Sequence, residues 1–288
     1  LDNLEENSIV HVFTLKSGFF FMIASYFSQK KFNSTLSITG LGYLFSNRLN
    51  TKLIKFFVKP IFVLLINKTF KNIIYQNSSD ENLFNKYAKF TNNSYLIESS
   101  GLQGSQYLLK EKFNKQLKIL LAGRLLEDKG IKKYIDLASQ MNSDNVKFYL
   151  AGELDEGNPK SLTRRDLEDI KKNKFVEYLG YLDLKKKLQE YDVLISLSDH
   201  EGFSRILLEA VYVGLYCIAY KNSGTEFIEN FQNTITVDSK DLELINDEIT
   251  NVLNTEKSVS LNNREIIIKK YSTKIIANSF NEIYKLDI

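Results

Sequence analysis

Two carboxylates eight residues apart carry the clearest chemistry in this 288-residue chain. They lie in Asp199-His200-Glu201-Gly202-Phe203-Ser204-Arg205-Ile206-Leu207-Leu208-Glu209-Ala210, directly after the short apolar run Val193-Leu194-Ile195-Ser196-Leu197. The run has the length and β-branching of a buried parallel strand, and Ile206, Leu207 and Ala210 then repeat at helical spacing. Glu201 therefore falls in a turn and Glu209 inside a helix, about 12 Å apart at helical rise. That is the span from a nucleotide ribose to a sugar beyond its diphosphate. The oxygens of Glu209 suit ribose hydroxyls, and those of Glu201 suit hydroxyls of the sugar. Around them, the N–H groups of Gly202, Phe203 and Ser204 sit where a helix start faces anions. The competing reading makes Glu209 a solvated helix position and Glu201 a first-turn acid favoured by the helix dipole.

A second set of groups follows the run Ile119-Leu120-Leu121-Ala122, in Gly123-Arg124-Leu125-Leu126-Glu127-Asp128-Lys129-Gly130. Arg124 can fork onto two phosphate oxygens while Lys129 adds a compact charge, which together balance the roughly two negative charges of a nucleotide diphosphate. Taken alone, such a pair is equally ordinary solvated surface. His11 reads as a packed residue or a catalyst near Thr14-Leu15-Lys16, and His200 as a surface residue or a phosphate contact. No His, Cys and carboxylate cluster has metal-ligand spacing, and no Gly-x-Ser-x-Gly elbow occurs, so neither a metal nor serine-hydrolase chemistry is expected. Cys217, the one cysteine, lies in an apolar run and reads as core in a reducing cytoplasm.

The elements that must hold these groups alternate between strand and helix along the whole chain, which predicts doubly wound parallel sheets, an α/β fold. Strands are expected at Ile9–Phe13, Ser34–Ile38, Ile73–Asn77, Tyr95–Ile97, Ile119–Gly123, Val146–Gly152, Val176–Gly180, Val193–Leu197 and Tyr216–Tyr220. A helix is expected over Phe19–Gln29 and a helix pair over Leu53–Thr69. The polar stretch from Gly101 to Lys115 crosses no apolar pattern and reads as a linker, which divides the chain into domains 1–106 and 107–288, with the C-terminal helices crossing back to the first. Hydrophobic content of 43%, 25% charged residues and a net charge of +3 describe a chain able to bury a core. They exclude disorder and the dense basic stripe of a nucleic-acid binder. No signal peptide opens the chain, and Phe56–Ile66, broken by Lys59-Pro60, is too short to span a bilayer. The basic-aromatic segment Leu53–Thr69, with Lys52, Lys55, Lys59, Lys68, Phe56, Phe57 and Phe62, reads as core helices or as a helix lying in an anionic membrane interface.

Glu201 through Glu209, with Gly202-Phe203 and Leu208-Glu209-Ala210, resembles the Glu-x(7)-Glu signature of family 4 retaining glycosyltransferases of the GT-B fold. Gly123-Arg124 with Lys129-Gly130 resembles their diphosphate-binding segment, and Glu153–Pro159 and Gly180-Tyr181-Leu182 fall at matching spacings. Thr14-Leu15-Lys16 and Thr39-Gly40-Leu41-Gly42-Tyr43 resemble acceptor-side segments of bacterial members that build capsule, O-antigen and lipid-linked glycans. The resemblance implies two Rossmann-like domains and a nucleotide-diphosphate sugar donor, a UDP-sugar foremost, with no bound metal. It also implies a lipid-linked or polysaccharide acceptor at the cytoplasmic membrane face. It implies Arg124 and Lys129 on the diphosphate, Glu209 on the ribose, Glu201 with Gly202, Phe203 and Ser204 on the donor sugar, Gly180, Tyr181 and Leu182 around the base, and Gly224, in Ser223-Gly224-Thr225-Glu226, approaching the diphosphate. Ser223 stands where a glycine is common, and Lys16-Ser17 where Lys-Pro is frequent. Members usually carry one more strand–helix–strand stretch before the position of Ile9. The chain thus resembles a member lacking the front of its first domain, and a donor-binding chain completed by a partner is the alternative expectation.

Overall fold

Strand–helix alternation closes into two separate parallel sheets in the computed structural model, which describes residues 1, 3–28, 30–41, 61–141, 143–238, 241–255 and 258–285. Two compact units result. The first comprises Leu1–Ser100, Glu201–Phe203 and Lys274–Ile288, and the second Gly101–His200 and Ser204–Thr273.

The first unit carries a four-stranded sheet in sequential order, β1 (Ile9–Phe13), β2 (Asn33–Ile38), β3 (Asn72–Tyr75) and β4 (Asn93–Leu96). Helices α1 (Leu15–Phe27), α2 (residues 61–69) and α3 (Ser78–Ala88) connect the strands. Parallel neighbours require such crossovers, and burial of β2 on both faces explains its near-continuous buried pattern. The core joins Leu36, Ile38, Ile73 and Tyr75 of the sheet to Leu15 and Met22 of α1, Ile66 of α2 and Phe84 of α3. Several boundaries differ from the sequence reading, and caps account for two of them. Helix α1 begins four residues before Phe19 because the Thr14 hydroxyl accepts from Ser17 N and caps it. Strand β3 stops at Tyr75 rather than Asn77, whose side chain accepts from Asp80 N at 2.7 Å and starts α3. Of the helix pair expected over Leu53–Thr69, residues 61–69 are helical. Lys52, Lys55, Phe56, Phe57 and Lys59 lie outside the described residues, as do Gly42 and Tyr43.

The second unit carries a six-stranded parallel sheet, β5 (Leu117–Ala122), β6 (Val146–Ala151), β7 (Val176–Gly180), β8 (Val193–Ser196), β9 (Tyr216–Tyr220) and β10 (Thr234–Val237), in the order β10-β9-β8-β5-β6-β7. The chain winds outward from β5 to β7, returns, and winds the other way from β8 to β10. The border between β5 and β8 is thus the topological switch point, outside whose strand ends ligands bind in open α/β sheets. Helices α4 (Ile131–Met141), α5 (Arg164–Lys171), α6 (Leu184–Lys187), α7 (Arg205–Val213), α8 (Leu242–Asn254) and α9 (Leu261–Tyr271) belong to this unit, and α10 (Thr273–Lys285) closes the described chain. The core gathers Ile119, Leu121, Phe148, Ile195 and Ile218 with Tyr134 and Leu137 of α4 and Ile245 and Ile249 of α8. The stretch read as a linker is clamped at its far end. The fully buried Asp192 carboxylate accepts from Lys110 Nζ, Asn114 N and Lys118 N, each at 2.8 Å.

Candidate functional site

The C-terminal ends of the second unit's strands are the natural place to look, and β5, β6 and β7 each run into a glycine there: Gly123, Gly152 and Gly180. Backbone ties draw these ends together. Gly123 N donates to Ala151 O at 3.0 Å and Gly152 N to Gly180 O at 2.8 Å. Gly152 has φ +148°, and a Cβ there would lie 1.8 Å from Gly123 O, so only glycine lets the two strand ends approach this closely. Above them opens a pocket of about 310 Å³ lined by Gly123, Arg124, Glu153, Asp155, Tyr181 and Leu182, among others. The structure thus brings together Gly123, Arg124, Tyr181 and Leu182, with Gly180 as backbone support. Glu153 and Asp155 join them from the polar loop at the end of β6, a loop the sequence places correctly without marking either acid as a site residue.

Arg124 is 65% exposed, and its Nη1 pairs with Asp155 Oδ2 at 2.7 Å. The Asn158 amide, and after it the Arg124 guanidinium, hold the Asp155 carboxyl below its usual range. An exposed pair of this kind contributes little to stability, so a doubly charged diphosphate can draw Arg124 away at small cost. Lys129 ends the short 3-10 turn Glu127–Lys129, its N–H bonded to Leu126 O, and does not line the pocket. Gly130 has φ +72°, and a Cβ there would lie 2.5 Å from Leu197 Cβ. That glycine lets the start of α4 press against the end of β8, and Asp199 N donates to Asp128 O at 3.0 Å across the same junction. The loops after β5 and β8 are therefore stitched at the switch point.

Helix α7 starts at Ser204, whose N–H donates to Gly224 O at 2.9 Å. The loop holding Gly224 is fixed by Asn222, whose amide donates to Ser198 O at 3.0 Å and accepts from Gly224 N at 3.0 Å. Ser204 is buried, and among the described residues its hydroxyl has no hydrogen-bond partner. Glu209 is 6% exposed, which removes the reading of a solvated helix position. Arg205 Nε donates to its Oε1 at 2.8 Å, and the buried Tyr107 phenol lies close enough to feel the same carboxylate. Burial first, and the carboxylate second, push the Tyr107 phenol well above its usual range, so it stays a protonated donor. No sequence signal marks Tyr107, which sits just after the 3-10 turn Gly104–Gln106 in the aperiodic linker.

Glu201, Gly202 and Phe203 group with the first unit. There Gly202 O accepts from Asn77 Nδ2 at 2.8 Å, and a Cβ on Gly202 would lie 2.1 Å from Thr39 O. His11, the other candidate, bridges Ser37 Oγ at 2.7 Å and Tyr284 Oη, stacks on Phe13, and is lowered to about 4 by burial. These contacts make it a packed strand residue. His200 is exposed. Among the described residues, no three His, Cys, Asp or Glu side chains are grouped to hold a metal ion, and no helix is long and apolar enough to cross a membrane.

Residues 109–272, more than half of the chain and nearly all of the second unit, match the family described as "Glycosyl transferases group 1". The chain belongs to the group 1 glycosyl transferases. Solved structures agree on the GT-B fold, two Rossmann-like domains with parallel sheets. A sucrose-phosphate synthase from Thermosynechococcus elongatus superposes with a TM-score of 0.77 at 18% identity, over 96% of this chain and 73% of that one. HepE from Anabaena, solved in complex with UDP and glucose, gives 0.73 at 16% identity over 96% and 77%. A point mutant of S. aureus TarM, solved in complex with Fondaparinux, alpha-GlcNAc-glycerol and UDP, gives 0.69 at 18% identity over 90% and 52%. The chain thus spans about half the length of the last and about three quarters of the first two. At these identities the likeness is one of fold. Compared by sequence with curated proteins, the chain has no match.

Proposed function

We propose that this group 1 glycosyltransferase moves a sugar from a UDP-sugar, with retained anomeric configuration and without a bound metal, to a lipid-linked or polysaccharide acceptor in bacterial surface-glycan synthesis at the cytoplasmic membrane face. One observation carries the donor half of this reading: the pocket over the glycine-ended strands β5, β6 and β7, with Arg124 at its side and the switch point beside it. HepE in complex with UDP and glucose supports UDP as the nucleotide.

In this reading Tyr181 and Leu182 flank the base, Glu209 takes the ribose hydroxyls, and Arg124 and Lys129 take the diphosphate. The start of α7 at Ser204 and the Gly224 loop stand beside the diphosphate. The bond from sugar C1 to the β-phosphate oxygen breaks while the acceptor oxygen bonds C1 on the same face, and the acceptor proton passes to the leaving phosphate. Negative charge grows on the diphosphate as that bond breaks, so Arg124 and Lys129 contribute more to the transition state than to the bound donor. Thermal stabilisation across UDP-, GDP- and dTDP-sugars tests the donor class, since a ligand that binds only the folded state raises the unfolding midpoint by mass action. UDP-sugars alone should raise it. Stabilisation by GDP- or dTDP-sugars alone would overturn the nucleotide assignment.

A further inference from the structure

Between Asn7 and Ser79 the chain carries nine Lys and Arg residues and neither Asp nor Glu, while the whole chain is only +3. The same stretch holds α1, which is apolar on both sides. Leu15, Gly18 and Met22 face the sheet, and the opposite positions hold Lys16, Phe20, Ile23 and Phe27 at steps of four, three and four, one helical face. Soluble helices keep that face polar. Here Phe20 is 61% and Phe27 79% exposed, and Tyr26 beside them is exposed as well. Helix α2 repeats the pattern with exposed Ile61, Leu64 and Lys68, and Lys68 Nζ lies 5.9 Å from the Tyr26 ring centroid, which joins the two outward faces into one surface.

We infer that the outward faces of α1 and α2 dock this chain on an anionic lipid surface, with Phe20, Ile23, Phe27, Ile61 and Leu64 entering the acyl boundary and Lys16 and Lys68 meeting the head groups. Charge selects the occupant. A second copy of this chain would set the lysines of one face, Lys16 and Lys68, against the same lysines of another, which like-charge repulsion opposes, whereas an anionic bilayer complements them. Large apolar side chains with Lys16 and Lys68 beside them match the chemistry of an interfacial helix, and so large an apolar face left uncovered among the described residues marks an interaction site. The surface deepens the proposed location at the membrane and is independent of the donor chemistry.

Vesicle co-sedimentation tests it, using phosphatidylcholine alone and phosphatidylcholine with phosphatidylglycerol. The protein should pellet with the anionic vesicles only and be released by high salt. A double variant, Phe20→Ser with Phe27→Ser, should weaken partition at least about tenfold, and Lys68→Glu should weaken it by about fivefold or more. All of these positions are exposed, so UDP binding and the unfolding midpoint should hold in each variant, and loss of UDP binding in the unaltered protein would count against the donor reading alone. Absence of pelleting with anionic vesicles, equal pelleting with both, or unchanged partition in the double variant would overturn the assignment. So would a lipid-free dimer that the same double variant dissolves.

Discussion

Glu209 shows how a residue's neighbours decide its chemistry. A carboxylate that is 6% exposed survives in a helix only if its charge is met, and Arg205 Nε meets it at 2.8 Å with the Tyr107 phenol alongside. The Arg205 bond fixes where its oxygens point, and the Tyr107 hydroxyl, which feels the same carboxylate, is proposed as a second positioning group for the ribose contact. Tyr107→Phe should weaken UDP binding about tenfold, the scale of a hydrogen bond to a charged group. It should weaken binding of 2′,3′-dideoxy-UDP far less, because that nucleotide lacks the hydroxyls Glu209 would hold. Equal losses for both nucleotides would make Tyr107 merely structural. His11 gives a prediction of another kind. Its pKa falls from 6.5 to about 4 on burial, so the unfolded chain binds a proton in a range where the folded chain does not. The stability present above pH 6.5 should therefore decline as pH falls towards 4 and then level off. Urea midpoints across that range would show it, and His11→Gln should flatten the decline.

Elements were legible where periodicity was strong. The strands at Ile9–Phe13 and Tyr216–Tyr220 lie where the apolar runs do; β9 is buried along its whole length, and a parallel strand covered on both faces writes itself as a short apolar run. Their ends were less legible. Asn77 reads as strand because it continues the run, and only its side-chain bond to Asp80 N reveals the cap. The linker was misleading for a related reason: its organisation comes from polar groups and not from an apolar pattern. Lys110 and Asp192, with side chains 2% and 0% exposed, form a buried pair that ties it to the start of β8. Removing one partner of such a pair leaves a buried charge unmatched, at a cost of about 3–5 kcal/mol. Asp192→Ala should lose that much in urea denaturation. A loss below about 1 kcal/mol, the scale of an exposed pair, would show that the clamp contributes little.

At the scale of the whole molecule, parallel winding gathers residues that the sequence offers one motif at a time. Arg124, Tyr181 and Leu182 lie far apart in sequence, yet each follows a strand of one sheet, and parallel winding carries them to the same edge. The pairing of Arg124 with Asp155 was not legible, since it depends on which of several loop acids comes within 2.7 Å. Nor was the cationic, aromatic surface of α1, because exposure of Phe27 is a property of packing and not of spacing. The central claim is that the second unit holds a nucleotide-sugar through Arg124 and Glu209, and calorimetric titration with UDP tests it most directly. The protein as it stands should bind UDP with measurable heat, and Arg124→Ala and Glu209→Ala, each folded by circular dichroism, should show no measurable binding. Wild-type affinity in both variants would contradict the claim.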